Sequence, residues 1–347
     1  MTCLDVLSYT PHFPAEDSGI RCTDQRFALG GNACNTATVL TQLKADCRLL
    51  SPIAKDLTFE IVRTALKPLA VDAELIIRKV ANSNPLNISM PVSTAVIAQD
   101  TGSRTVLHSP GSCPEISLEE FLNAVDLAEF CWIHFEANWY KQTAQILKRC
   151  REWREFKNEN LPILSVELEK RRPDEEIDEL TQYADVIFVS KELHLYRGAK
   201  NSQEGMKMFE ERFVFQERAI MVSPWGELGA SAKIVHSANI VSCQAFEPAV
   251  VIDTLGAGDT FIAAFIHHCY RLPVDQMEVL SERELHNALE YALFCHGPGR
   301  VEGTSVGVFT GECFARRGVC SRETVVYPKP RSYVGHEKVA AVALSVS

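Results

Sequence analysis

Asp253-Thr-Leu-Gly-Ala-Gly-Asp-Thr-Phe-Ile-Ala-Ala-Phe-Ile266 writes a tight turn and a helix start within a few residues. Just upstream, Ala249-Val-Val-Ile252 is a short apolar, β-branched run of the kind that forms a buried strand. Downstream, Phe261, Ala264 and Phe265 recur at helical spacing. Gly256-Ala257-Gly258 is therefore read as a strand-to-helix junction. With almost no side chains there, an anion can reach several unpaired backbone N–H groups, and the positive end of the helix dipole adds attraction. A polyphosphate suits such a junction. Asp259 falls in the first helical turn, where a carboxylate is poorly placed if its only task is to help bind that anion. It is well placed as a base if a hydroxyl must lose a proton while attacking the phosphate. Capping of the helix by Asp259 and Thr260 is the competing reading, and an isolated G-x-G-D leaves the two about even.

A second stretch, Gly30-Gly-Asn-Ala-Cys-Asn35, opens another helix, whose apolar positions Ala33, Ala37, Leu40 and Leu43 fall roughly on one face. Asn32 and Asn35 lie three apart and can point the same way. Two amides beside exposed glycine N–H groups could grip vicinal hydroxyls. Taken alone, G-G-N-x-x-N is better explained by capping through Asn32 and a solvated Asn35.

From Phe130 onward, apolar runs alternate with longer polar, helix-forming segments. Cys131-Trp-Ile-His-Phe135, Pro162-Ile-Leu-Ser-Val166, Val186-Ile-Phe-Val189 and Ala219-Ile-Met-Val222 read as strands. Such alternation predicts an α/β fold with a mainly parallel central sheet flanked by helices. Ser223-Pro-Trp-Gly-Glu-Leu-Gly-Ala230 follows the fourth of these strands, at a carboxyl end where α/β folds bind ligands; an ordinary glycine-rich turn is the alternative. Earlier in the chain, Thr94 to His108 reads as a hairpin with turn chemistry at Asp100–Ser103, and Ser18 to Ala28 alternates weakly, like an exposed strand. His267-His268 reads as a helix surface pair without further ligands at metal spacing.

The composition narrows the partners. In 347 residues, 46% are hydrophobic and 23% charged, which is globular usage with ample length for a core. A formal net charge of −10 argues against nucleic acid or an anionic membrane as the main partner. Twelve scattered cysteines without a C-x-x-C, no basic leader before an apolar block and no long apolar run predict a reduced, cytoplasmic protein. Neither a P-loop nor a G-x-G-x-x-G occurs.

The string DTLGAGDTFIAAF resembles the C-terminal signature of the ribokinase-like sugar kinases over about a dozen contiguous positions. Leu4-Asp-Val, Glu16-Asp-Ser-x-Ile-Arg-Cys22 and Gly30-Gly-Asn-Ala-x-Asn35 are similar, in order, to the branch of that family acting on ketohexoses, as are Trp132-Ile-His-x-Glu136 and Ser165-Val-Glu-x-Glu-Lys170. The resemblance implies a ribokinase-like fold with a small β-sheet lid, formed from about residues 8–28 and 92–108, through which two copies dimerise. It implies transfer of the ATP γ-phosphoryl to the 1-hydroxyl of a ketohexose such as fructose, with Mg2+ and K+ as accompanying ions. Gly256, Ala257 and Gly258 then form the anion hole and Asp259 is the catalytic base. Asp5, Gly31, Asn32 and Asn35 contact the sugar together with Asp259. Arg104, Gly226, Glu227, Leu228 and Gly229 join Gly256–Gly258 in binding the nucleotide. Ser190 and Leu193 stand where most members carry N-x-x-E, which leaves the metal ligands unassigned. Another sugar or a nucleoside as acceptor, and a non-catalytic isoform acting as a binding partner, are the alternatives.

Both ends depart from the family pattern. An apolar strand central to the sheet precedes the position of Asp5 in the family, and only Met1 to Leu4 precede it here. The expectation is a sheet lacking that strand and a chain that folds marginally. The kinase domain is expected over residues 1–296. Gly297-Pro-Gly-Arg-Val-Glu-Gly303 breaks the last helix, and residues 297–347 read as a weakly ordered tail.

Overall fold

The computed structural model describes residues 2–69, 71–78, 88–137, 140–246, 256–295 and 338–342. In chain order the strands are β1 (Cys3–Thr10), β2 (Asp24–Gly30), β3 (Asp46–Ala54), β4 (Asp72–Arg78), β5 (Val92–Ala98), β6 (Arg104–Ser109), β7 (Phe130–Phe135), β8 (Ile163–Leu168), β9 (Val186–Val189), β10 (Ile220–Pro224), β11 (Ala230–Ile234), β12 (Val241–Cys243) and β13 (Lys338–Val342). The helices are α1 (Asn32–Gln42), α2 (Phe59–Leu66), α3 (Leu118–Ala124), α4 (Tyr140–Lys157), α5 (Asp174–Thr181), α6 (Lys191–Tyr196), α7 (Ser202–Arg212), α8 (Ala257–Tyr270), α9 (Val274–Glu278) and α10 (Glu282–Cys295).

The mainly apolar strands β7, β8 and β9 are buried along their whole length, as strands covered on both faces must be. Because side chains alternate along a strand, neighbours go to different cores. Trp132, Ile163 and Val186 pack with residues of α1, α8 and α10, whereas Ile133, Leu164 and Ile187 pack with α4, α5 and α7. The central sheet runs β12-β11-β10-β9-β8-β7-β13-β3-β4. Its β4-to-β10 portion is parallel, and β11 and β12 add an antiparallel edge. A second sheet, β2-β1-β5-β6, forms the small lid, in which β1 runs parallel to β5 and the other pairs are antiparallel. The fold is thus the α/β ribokinase-like architecture with an accessory sheet. The expected hairpin appears as β5 and β6, closed by Gly102 N–H donating to the Ala98 carbonyl at 2.8 Å.

The expected gap in the central sheet is filled. Between β3 and β7 lies β13, with Val339 opposite Cys47 on one side and Trp132 on the other. Val339 is fully buried in the core shared with α1 and α8. The strand's carboxyl end, Val342, pairs with Leu50; the next residue of β3, Ser51, accepts a 2.8 Å hydrogen bond from the Thr2 hydroxyl. So β13 ends where β1 begins, and a segment from the far end of the sequence provides the strand that leads into the lid. For Lys338–Val342 the weakly ordered tail is therefore corrected to a core strand; residues 296–337 and 343–347 lie outside the described set. His267 is also corrected, from surface to core: it is 3% exposed, and its Nδ1 lies 3.1 Å from the Tyr291 hydroxyl.

Candidate active site

A cavity of about 420 Å3 lies where the carboxyl ends of the parallel strands meet the lid. This is the position at which open α/β sheets bind ligands, because strand ends and helix N-termini converge there. Glu136 follows β7, Glu167 and Glu169 flank the end of β8, Ser190 follows β9, and Asp5, Ser93 and Arg104 face the cavity from the lid.

Helix α8 begins at Gly256, whose φ of 70° is left-handed and thus natural for glycine. Gly256, Ala257, Gly258 and Asp259 all line the cavity. Among the described residues, a Cβ placed on Gly258 would meet nothing within 4 Å, so at that position the helix N-terminus faces the cavity. Asp259 is 6% exposed and accepts a 2.7 Å hydrogen bond from Asn35 Nδ2. Burial raises its carboxyl well above the usual range, the Asn35 bond opposes this, and Glu169 and Glu136 raise it further. Such a group is a stronger base than an exposed carboxylate once deprotonated. The expected strand at Ala249–Ile252 and residues Asp253–Leu255 lie outside the described residues.

Helix α1 is not capped by the side chain of Asn32. Gly31 is the N-cap residue, without a side-chain cap, and Glu136 Oε2 accepts from Ala33 N–H at 3.1 Å. Asn32 Nδ2 instead donates to Glu167 Oε1 at 3.1 Å and to Glu169 Oε2 at 3.0 Å. Both amide hydrogens are thereby used, which leaves Asn32 Oδ1 as its free acceptor. The capping alternative for these asparagines gives way to two amides committed to acids in one cavity.

Asp5 enters from β1 and is 8% exposed. Gly30 on β2, which pairs with Cys3 and so lies diagonal to Asp5, is the reason it fits: a Cβ there would stand 2.1 Å from Asp5 Oδ2. The Cys3 thiol donates to Asp5 Oδ1 at 3.4 Å. Burial nevertheless pushes the carboxyl up to about 6. A raised acid stabilises the fold in its protonated form, fully below about 3.8, and that contribution is lost as pH rises through about 6. Asp5→Asn should therefore melt higher than the parent protein at pH 8, by on the order of 2–3 kcal/mol, with the difference shrinking toward pH 4. Calorimetry across that range checks this; a difference independent of pH contradicts it.

Arg104, at the start of β6, also lines the cavity. Gly226, Glu227 and Leu228 form a single turn after β10, which Gly229 ends, and none of the four is among the lining residues. Glu227 there accepts from Lys191 Nζ at 3.0 Å. Sequence reasoning assigned no role to Glu136, Glu167, Glu169 or Lys170, although the E-x-E-K at the end of a buried strand was in view. Polar residues break an otherwise apolar run at a carboxyl end, and that is the signal of a site. The ten cysteines among the described residues are all thiols, and no described helix is long and apolar enough to cross a membrane.

Fold and site together describe a sugar kinase, and the chain belongs to the pfkB family of carbohydrate kinases, whose sequence pattern it matches over residues 1–294. It is 31% identical to ketohexokinase from Mus musculus over 271 residues, which cover 77% of this chain and 86% of that protein. It is also 24% identical over 299 residues to the ATP-dependent ribose-1-phosphate kinase of Halopiger xanaduensis, covering 84% of this chain and 86% of the relative. Among solved structures, ribokinase from Giardia lamblia superposes with a TM-score of 0.73 over 90% of this chain and 96% of that one at 16% identity, a likeness of fold.

Proposed function

We propose that this chain transfers the γ-phosphoryl group of ATP to the 1-hydroxyl of a ketohexose, D-fructose first, yielding fructose 1-phosphate and ADP. The observation that carries the reading is the pairing of Asp259 with Asn35 at the open N-terminus of α8, in a cavity roofed by Asp5. Asp5, Gly31, Asn32 and Asn35 hold the sugar hydroxyls. Asp259 accepts the proton of the attacking hydroxyl, and the N–H groups of Gly256–Gly258 stabilise charge on the transferred group. Arg104 engages the nucleotide phosphates, and Gly226–Gly229 engage the remainder of the nucleotide from outside the cavity. Bound magnesium would supply charge neutralisation at the phosphates; the unpaired Glu167 Oε2 offers it a hard oxygen. Use of K+ belongs to the same reading. Closure of the lid excludes water, which favours phosphorylation over ATP hydrolysis.

The reading extends to residues 1–296 as the kinase domain, to a cytoplasmic setting, and to a homodimer formed through the lid. Phe27 and Leu107, 56% and 64% exposed on the lid strands, support the last point. A pentose derivative as acceptor is the second reading, favoured by the similarity to a ribose-1-phosphate kinase. A non-catalytic chain had its support in both departing ends; β13 occupies the place of the strand expected to be missing, while residues 297–303 lie outside the described residues. ADP release by the purified protein across ketohexoses, aldoses, ribose derivatives and nucleosides separates these. Fructose is expected to give the highest kcat/KM; a higher value for ribose 1-phosphate or a nucleoside would replace the acceptor while leaving the kinase assignment in place.

A further inference from the structure

Glu167 is 7% exposed, and its two oxygens have different surroundings. Oε1 accepts from Asn32, while Oε2 has no hydrogen-bond partner among the described residues although it is buried and the residue lines the cavity. A buried carboxylate oxygen without a donor is costly and calls for a proton or a cation. Glu169 Oε2 shares the same amide nitrogen of Asn32, so two acids converge on one neutral group. Glu169 is held in place through its backbone, since its carbonyl accepts from the Ser190 hydroxyl at 2.7 Å. Ser190 Oγ also accepts from Leu193 N–H, and Leu193 is fully buried; the acid in the first turn after β9, Glu192, is exposed and is not among the residues lining the cavity.

The charge of the whole cavity points the same way. Asp5, Glu136, Glu167, Glu169 and Asp259 face Arg104 and Lys170. A nucleotide polyphosphate entering so acidic a space would be repelled unless a cation came with it.

We propose that Glu167 and Glu169, at the carboxyl end of β8, hold the divalent cation that enters with the nucleotide. The cation takes Glu167 Oε2 and one oxygen of Glu169, and Asn32 fixes both carboxylates through its amide. Magnesium typically uses one or two carboxylates, keeps several waters and takes its remaining ligands from phosphate oxygens. That pattern agrees with the finding that no group of three or more His, Cys, Asp or Glu side chains among the described residues forms a metal cage. Asn32 then acts on two ligands at once: its amide nitrogen orients the metal-binding acids, and its carbonyl oxygen is left for the acceptor sugar. This rests on the kinase reading above.

The test uses the full chain, with Mn2+ as the probe and an imido analogue of ATP that is not hydrolysed. Free Mn2+ is followed by electron paramagnetic resonance, and ADP binding is measured separately in the presence of a chelator. Glu167→Gln and Glu169→Gln should each weaken Mn2+ in the ternary complex by at least about tenfold without weakening metal-free ADP binding, which the loss of one negative charge can only favour. Glu169 is exposed, so its variant reports even if Glu167→Gln disturbs folding. Unchanged Mn2+ affinity in either variant, with ADP binding intact, overturns the metal assignment alone. Failure of the parent protein to bind any nucleotide overturns the kinase reading and the metal assignment with it.

Discussion

Asp259→Asn should lower kcat by at least about a hundredfold while leaving the KM for the sugar nearly unchanged, because a positioned general base contributes roughly 10²–10⁴. The geometry favours a clean result. Asn35 Nδ2 donates to Asp259 Oδ2, and the carbonyl oxygen of an asparagine at 259 can accept the same bond, so α1 and α8 keep their registry. What disappears is the ability to take a proton. The parent protein should also lose kcat as pH falls through the raised pKa of Asp259, since only the carboxylate is a base. In the variant that acidic limb should vanish. A proportional loss of sugar binding and rate, or an acidic limb that survives the substitution, would assign Asp259 a structural role instead.

Removing residues 338–347 should abolish cooperative unfolding and sugar phosphorylation together. Without β13, the edges of β3 and β7 that now pair with it carry unmatched N–H and C=O groups in the middle of a sheet, and the site filled by Val339 opens. Against a total stability of roughly 5–15 kcal/mol, a protein of this size cannot absorb the loss of an interior strand. Placing the same ten residues in front of Met1 should restore both properties, because Val342 pairs with Leu50 and Thr2 bonds to the neighbouring Ser51. Thermal melts and ADP release on the two variants decide the matter. A truncated chain that melts like the parent and stays active would show that β13 is dispensable.

The parts of this protein that were legible in its sequence are those written locally. Gly256-Ala-Gly-Asp259 and Gly30-Gly-Asn-x-x-Asn35 each combine a backbone requirement with a helix start over a few residues, so their placement at helix N-termini could be read directly. Strands β7 to β10 announced themselves as short apolar runs between polar helical ones. Strand β13 could not be read in this way. Lys338-Val-Ala-Ala-Val342 is a short and unremarkable apolar run, and its partners Cys47 and Trp132 lie hundreds of residues away in the chain. Nothing in local periodicity specifies such pairing, and the family pattern directed attention to the other terminus. The place of Glu167 and Glu169 in the cavity was hidden for a related reason: it depends on Asn32, which a distant helix brings to them. His267 was misplaced because its neighbours Tyr270 and Tyr291 include one from α10, and the packing of α8 against α10 cannot be read from either helix alone.

The central claim is that one cavity, built from the open N-terminus of α8, the amides of α1 and the lid, moves a phosphoryl group from ATP to a ketohexose hydroxyl. Phosphorus and carbon magnetic resonance of the product formed from ATP and D-fructose by the purified full-length protein tests it most directly. The expected result is fructose 1-phosphate in a one-to-one ratio with ADP, and essentially none with Asp259→Asn. ADP released without any sugar phosphate, or the same product formed equally by Asp259→Asn, would contradict the account.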